Sequence, residues 1–284
     1  MTTILSIQSS VAYGHVGNSA AAFTLMRMGV ETYPVLTVHY SNTTGYGSWR
    51  GPVLSATDVM DVVRGVDERG ALTGVDALLT GFQGSEAMGN TILDAVDLVK
   101  TRNPKAVYCC DPVMGDVGRG MYVAPGIPEF LRDKVVPRAD IVIPNQFELD
   151  FLVGQTTRTV ADLLAGIDTL IARGPTTVLV TSAMTEEGGD DTVSMVAATA
   201  GESWLVSTPR IDQVFTGSGD VTSAVFLAYL LQTGRLDVAL AQTAGIVYSV
   251  LDATARAGQR ELALVAAQDQ IVSPSHAFEA RRLR

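Results

Sequence analysis

Residues 77–110 read ALLTGFQGSEAMGNTILDAVDLVKTRNPKAVYCC. Two short, almost continuously apolar runs, Ala77–Leu79 and Ala106–Cys110, flank a helix-like segment, Ala87–Lys100. A strand that is apolar at successive positions is buried on both faces, which is the signature of a parallel strand covered by helices. The same unit recurs in both directions. Ile4–Ile7 and Tyr33–Val38 precede it, Ile141–Ile143 and Thr177–Val180 follow it, and Ser19–Met28, Ala56–Arg69 and Thr159–Ala172 read as the intervening helices. The alternation predicts an α/β fold, a three-layer α/β/α sandwich around a central, mostly parallel sheet.

Further along, Thr192–Ala197 and Ser203–Val206 are separated by a small-residue turn and read as an antiparallel hairpin at the sheet edge. Gly219–Leu231 and Asp237–Leu251 are then long, apolar, Ala-rich helices. Asp111–Pro128, rich in Gly and Pro, is the longest stretch without periodicity, and loops of that length inside compact domains tend to be functional. No repeat, linker or low-complexity segment interrupts the chain. Residues 1–284 are therefore expected to form one domain, ending in a frayed Arg-rich tail at Arg281–Arg284.

Hydrophobic residues make up 47% of the 284 and charged residues 18%, enough for a sizeable core and too apolar for disorder. The net charge of −10 argues against a nucleic-acid partner. An acidic chain that binds an anionic nucleotide has to do so locally, with backbone amides, a few Arg side chains and metal ions. Cys109 and Cys110 are adjacent in an apolar run and read as buried free thiols of a reducing compartment. His15, His39 and His276 are too scattered for a zinc site. The start, MTTILSIQSS, has no basic flank and too short an apolar run for a secretory signal, and no stretch reaches the ~18 apolar residues of a membrane helix. The expectation is a cytoplasmic protein with no membrane partner.

Four clusters carry candidate chemistry. The first is Phe215-Thr216-Gly217-Ser218-Gly219-Asp220, just before a long apolar helix. Gly217 and Gly219 allow a tight turn, and the free N–H groups and positive dipole end of the helix make an anion site. A phosphoryl group in transit needs such donors, together with a carboxylate to accept a proton, and Asp220 is placed for that role. A plain capped helix after a Gly turn explains the same residues equally well. The second cluster is Cys110-Asp111-Pro112-Val113-Met114-Gly115-Asp116, with Asp111 at a strand end and Asp116 on the Gly-rich stretch. Such a pair of acids suits a Mg²⁺ shared with phosphates, and Asp111-Pro112 equally suits a turn. In the third, Pro144-Asn145-Gln146-Phe147-Glu148, Asn145 and Glu148 either face one cleft or form a capping box. The fourth, Ser6–Asn18, ends a buried strand in hydroxyls, and Ser9 with Asn42–Tyr46 would make a pocket wall. No Gly-x-x-x-x-Gly-Lys-Ser/Thr occurs, Lys100, Lys105 and Lys134 lie elsewhere, and no Gly-x-Gly-x-x-Gly follows the first strand.

In this order the clusters resemble the ribokinase-like superfamily, and within it the pyridoxal kinases. The resemblance rests on Ile7-Gln8-Ser9, Tyr13–Ala20, Ser41–Gly47, Cys110–Gly115, Pro144-Asn145, Gly217–Asp220 and Val265–Asp269, and so runs nearly end to end. It implies a ribokinase-like fold and ATP-dependent phosphorylation of the 5′-hydroxymethyl group of pyridoxal, with pyridoxine and pyridoxamine as further acceptors. It implies that Asp220 is the base and that Gly217, Ser218 and Gly219 form the anion hole. Ser9 and Thr44 would contact the pyridine ring beside Gly45, and Tyr13, Val16 and Phe82 would line the apolar wall. Asp111, Asp116 and Glu148 would arrange Mg²⁺ and a monovalent cation such as K⁺ around the ATP phosphates. Thr181 and Ser182 would touch the nucleotide, and Thr208, Pro209, Arg210 and Ile211 would flank it. A homodimer and a mobile loop at Asp116–Tyr122 are also implied. Thr43 stands where many members carry His, and no Cys lies near Gly45 or after Met114 to contact an aldehyde. A hydroxymethylpyrimidine kinase and a non-catalytic pyridoxal phosphate binder stay open as alternatives.

Overall fold

The computed structural model describes residues 1–284. In chain order the strands of the main sheet are β1 (Thr3–Val11), β2 (Glu31–Tyr40), β3 (Ala77–Thr80), β4 (Val107–Cys110), β7 (Ile141–Val142), β8 (Thr177–Ala183), β9 (Thr192–Ala198), β10 (Ser203–Pro209) and β11 (Arg281–Arg282). A separate two-stranded ribbon pairs β5 (Gly115–Asp116) with β6 (Gly120–Met121). The main sheet runs β11-β10-β9-β8-β7-β4-β3-β1-β2. From β2 to β8 all pairings are parallel, and β9, β10 and β11 are added antiparallel. The expected hairpin is thus β9–β10, with Val206 opposite Met195.

Both faces of the sheet are covered, as the apolar strands require. Leu5, Leu78, Tyr108, Val142 and Val178 point into one core with α2 (Ala56–Glu68), α3 (Glu86–Arg102), α5 (Gln146–Val153) and α6 (Val160–Ile171). Their neighbours Ile4, Leu79, Cys109, Ile141 and Leu179 point into the other, with α1 (Asn18–Arg27), α7 (Ser218–Thr233) and α8 (Leu236–Arg256). Side chains of successive strand residues alternate across the sheet, so a run apolar at every position fills two cores at once. Cys109 and Cys110 take opposite faces and are both fully buried free thiols, as the sequence predicts. Burial pushes the Cys110 thiol up to about 12, so it stays protonated and inert.

Three features depart from the sequence reading. Arg281–Arg284 is no frayed tail. β11 pairs with β10, the Arg282 guanidinium lies 5.9 Å from the Trp204 ring centre, and Arg284 forms a forked ion pair with Asp168. The open backbone groups of β10 need partners, and the tail supplies them. The aperiodic stretch Asp111–Pro128 contains the β5–β6 ribbon and ends in the start of α4 (Ile127–Phe130), which continues beyond that stretch as irregular helix through Arg138. Pro128 and Pro137 break its periodicity, yet Ile127, Phe130, Leu131 and Val135 are buried. Finally, α8 is long and apolar enough by composition to cross a membrane, contrary to the expectation that no stretch is. Its buried residues pack against α7 and the sheet, as in a core helix.

The topology positions a site. β1 lies between β2 and β3, so the direction of strand addition reverses there. In open α/β sheets ligands bind beyond the carboxyl ends of the strands at such a switch. The loop leaving β1 is pinned by Asn18, whose buried amide donates to the carbonyls of Ser6 and Val35. Gly17 opens α1 at φ 54°, where a Cβ would lie 2.2 Å from the Ser9 carbonyl. Only glycine lets that loop fold back over the strand end.

Candidate active site

A cavity of about 600 Å³ opens along the carboxyl ends of the strands. Ser9 comes from β1, Phe82 follows β3, Asp111 follows β4, Asn145 follows β7, and Thr181 and Ser182 come from β8. Phe215–Asp220 at the start of α7 closes the floor. The structure therefore brings together Ser9, Val16, Thr44, Gly45, Phe82, Asp111, Asp116, Glu148, Thr181, Ser182, Gly217, Ser218, Gly219 and Asp220.

Tyr13, Asn42, Tyr46 and Thr208–Ile211, all expected at the site, are not in the lining. Tyr13 is 62% exposed outside the cavity, its ring centre 6.2 Å from that of Tyr46. Thr208, Pro209, Arg210 and Ile211 lie at and beyond the end of β10, where the Arg210 amide donates to the Asp191 carbonyl. Conversely, Val11, Val38, Tyr40 and Trp49 line one wall and were not singled out from the sequence. Val11, Val38 and Tyr40 lie at the ends of β1 and β2, which continue past the apolar runs that mark those strands. Arg119 and Tyr122, on the β5–β6 ribbon and just after it, also line the cavity, and Arg119 is the only cationic side chain that does.

The floor is built for an anion. Gly217 stands at φ 92° before α7, and no side chain caps the helix, so its first N–H groups are free for a ligand. A Cβ on Gly217 would lie 1.9 Å from the His15 carbonyl oxygen, whereas one on Gly219 would meet only Asp111 Oδ2, at 3.9 Å. Gly217 is thus fixed by packing, while Gly219 leaves open space above the helix start.

Four carboxylates face this space, Asp111, Asp116, Glu148 and Asp220. Burial, then the nearby Asp220 charge, raises Asp111 to about 7 against a hydrogen bond from Ser223 Oγ at 2.8 Å. Burial likewise raises Asp220 to about 6, opposed by the backbone N–H groups of Gly17 and of Asp220 itself. Glu148 is pushed well above the usual carboxylate range by burial and by Asp111. The capping box between Asn145 and Glu148 is present, yet both residues also line the cavity. Glu148 caps the helix through Oε2 and accepts the Met114 N–H through Oε1, which ties α5 to the loop after β4. The structural and the functional readings of that motif hold together.

Carboxylates whose proton affinity is raised by burial and by one another's charge are suited to a cation that arrives with its ligand. No three side chains converge closely enough to hold a metal unaided. That fits Mg²⁺, which takes one or two carboxylates and fills its other positions with water and phosphate oxygens. On the far side, Ser182 sits at φ 52°, within a bulge between β8 and β9. Left-handed backbone at a non-glycine residue is strained, and such strain concentrates at ligand sites.

The buried acids carry a stability cost. The folded-state value of Asp111 lies above its unfolded value, so between about pH 4 and pH 7 the unfolded chain binds fewer protons and stability falls as pH rises. Asp111→Asn is therefore expected to melt higher than the parent at pH 8, by roughly 1–3 kcal/mol, and to match it near pH 4. Thermal melts at the two pH values check this. A variant less stable at pH 8 would show that Asp111 is held by structural hydrogen bonds rather than kept for a ligand.

A family profile described as phosphomethylpyrimidine kinase matches residues 53–264. The pyridoxal kinase PdxY of Rubrobacter xylanophilus is 53% identical over 99% of this chain and 97% of its own. That of Leifsonia xyli is 50% identical over 99% of each chain. Among solved structures, the pyridoxal kinase of Leishmania donovani in complex with ADP and ginkgotoxin superposes with a TM-score of 0.93 at 26% identity, covering all of both chains. The same enzyme with ADP and pyridoxamine gives 0.92.

Proposed function

Because this chain belongs to the pyridoxal kinase family, we infer that it transfers the γ-phosphoryl group of ATP to the 5′-hydroxymethyl group of pyridoxal. The observation that carries the reading is Asp220, a carboxylate raised to about 6, beside an uncapped helix start in a cavity walled by apolar residues and hydroxyls. Asp220 accepts the proton of the hydroxymethyl group, and a value nearer neutrality than an ordinary carboxylate's makes it a better base. The amides of Gly217, Ser218 and Gly219 take the charge of the phosphoryl group. Ser9, Thr44 and Gly45 orient the ring, with Val16 and Phe82 against its apolar face. Thr181 and Ser182 contact the nucleotide, and Thr208–Ile211 flank its outer end.

Asp111, Asp116 and Glu148 would hold Mg²⁺ and a monovalent cation such as K⁺, and Mg²⁺ supplies charge neutralisation for the phosphates. Residues 1–284 act as one kinase domain, working as a cytoplasmic homodimer. The matched profile names a pyrimidine substrate, but it begins at residue 53. Ser9, Val16, Thr44 and Gly45, the pyridine side of the cavity, all precede that point, whereas both full-length relatives include it.

The choice of acceptor is tested by comparing kcat/KM for pyridoxal, pyridoxine, pyridoxamine and hydroxymethylpyrimidine, read as ADP release from MgATP. Pyridoxal is expected to exceed hydroxymethylpyrimidine by at least about 100-fold, the discrimination that an apolar pocket gives by shape, with lost pocket hydrogen bonds adding to it. A preference for the pyrimidine would reject the substrate assigned here.

A further inference from the structure

The turn that carries Thr44 and Gly45 is exposed and only three residues long, too little to hold a ring in place by itself. What holds it comes from the other end of the chain. Tyr46 Oη donates to Glu261 Oε1 at 2.8 Å, and Arg260 Nη2 donates to the Gly45 carbonyl at 3.0 Å. The Arg260 guanidinium also stacks 3.7 Å above the Tyr46 ring. Glu261 reaches further still. Its backbone bridges Thr216, next to the anion turn, and its second oxygen packs where a Cβ on Gly14 would lie 2.0 Å away. That oxygen is buried and has no hydrogen-bond partner. A half-satisfied buried carboxylate costs stability, so folding alone does not account for it.

We propose that Arg260 and Glu261 are positioning residues, a clasp that fixes the Thr44–Tyr46 turn relative to the anion turn and so sets where the acceptor alcohol lies. The clasp rests on the kinase reading for its consequence and on geometry for its existence. One residue touches both the element that orients the ring and the element that receives the phosphoryl group. Phosphoryl transfer depends on holding those two in line, and a small misplacement is costly. Since the side chain of Glu261 bonds only the substrate turn, losing it should affect the acceptor and spare the nucleotide.

The test uses Glu261→Ala, Tyr46→Phe, their double variant and Glu261→Gln in the full chain. Glu261→Ala and Tyr46→Phe should each raise KM for pyridoxal about tenfold, the effect of one lost hydrogen bond to a charged acceptor, with KM for ATP within about twofold of the parent. The double variant should be no worse than Glu261→Ala, because both remove one bond. Glu261→Gln should recover most of the loss, since its amide oxygen still accepts from Tyr46. Pyridoxal binding without ATP, followed through the fluorescence of Trp49 in the cavity wall, should rank the variants in the same order. KM values for both substrates rising together would overturn the clasp, as would unchanged pyridoxal binding or additive losses in the double variant. The two readings fail separately. An inactive parent whose pyridoxal binding still weakens in the variants removes the kinase and keeps the clasp. An active parent matched by its variants removes the clasp and keeps the kinase.

Discussion

Asp220→Asn should lower kcat by about 10³-fold while leaving pyridoxal and ATP binding nearly unchanged. The substitution keeps the shape of the side chain and removes its ability to take a proton, and general-base catalysis is worth roughly 10²–10⁴-fold. Burial has raised Asp220 to about 6, so the parent's kcat should fall as the pH drops through that region, when the carboxylate becomes protonated. In Asp220→Asn that limb should disappear from the residual rate. Rapid-mix turnover assays across pH 5 to 8, with binding measured by titration, separate the outcomes. A variant that turns over like the parent would deny Asp220 the role of base and return the non-catalytic binder to consideration.

The second large effect divides two glycines that stand two residues apart. Gly217→Ala should fail to fold normally, because its Cβ would lie 1.9 Å from the His15 carbonyl and its φ of 92° is strained for any side chain. Gly219→Ala should fold with a melting temperature near the parent's, since its Cβ meets nothing closer than Asp111 Oδ2 at 3.9 Å. Its backbone is already helical with no positive φ, so a methyl there brings no backbone strain. Yet that methyl would stand in the space over the helix start where the phosphoryl group has to sit. Removing one oxyanion donor costs about 10²–10³-fold in kcat, and blocking the site should cost at least as much. Melting curves and initial rates of the two variants check both halves. An active Gly219→Ala would mean that the phosphoryl group passes elsewhere in the cavity.

Legibility in the sequence followed the range of the forces involved. Parallel strands buried on both faces leave an apolar run that no loop imitates, so β1, β2, β3, β4, β7 and β8 were visible in outline. The same pattern could not locate their ends. Val11 and Tyr40 carry no signal as wall residues because the strands run on where the apolar runs stop, and Val38, inside its run, reads only as core. The acidic and anion-binding side was readable because its parts are local. A Gly-x-Gly-Asp turn before a helix and acids at strand ends keep their spacing whatever surrounds them. Nothing local marks Glu261, whose partner Tyr46 is 215 residues away. The cation of the site was hidden in the same way. Arg119 lies in a stretch without periodicity, and only the pairing of Asp116 with Gly120 carries it over the cavity. The tail misled for a related reason, since four charged or long residues look solvated until an unpaired strand edge is seen beside them.

The central claim is that this cavity makes a phosphate ester at the 5′ position of pyridoxal. The direct measurement is to incubate the purified chain with pyridoxal, MgATP and potassium, and to follow pyridoxal phosphate by its near-ultraviolet absorbance against ADP formed, with the ester position assigned by phosphorus NMR. Equal amounts of ADP and pyridoxal 5′-phosphate are expected, and almost none of either over the same time when Asp220→Asn replaces the parent. ADP without the ester, or an ester at another oxygen, or no product while pyridoxal still binds, would contradict the account.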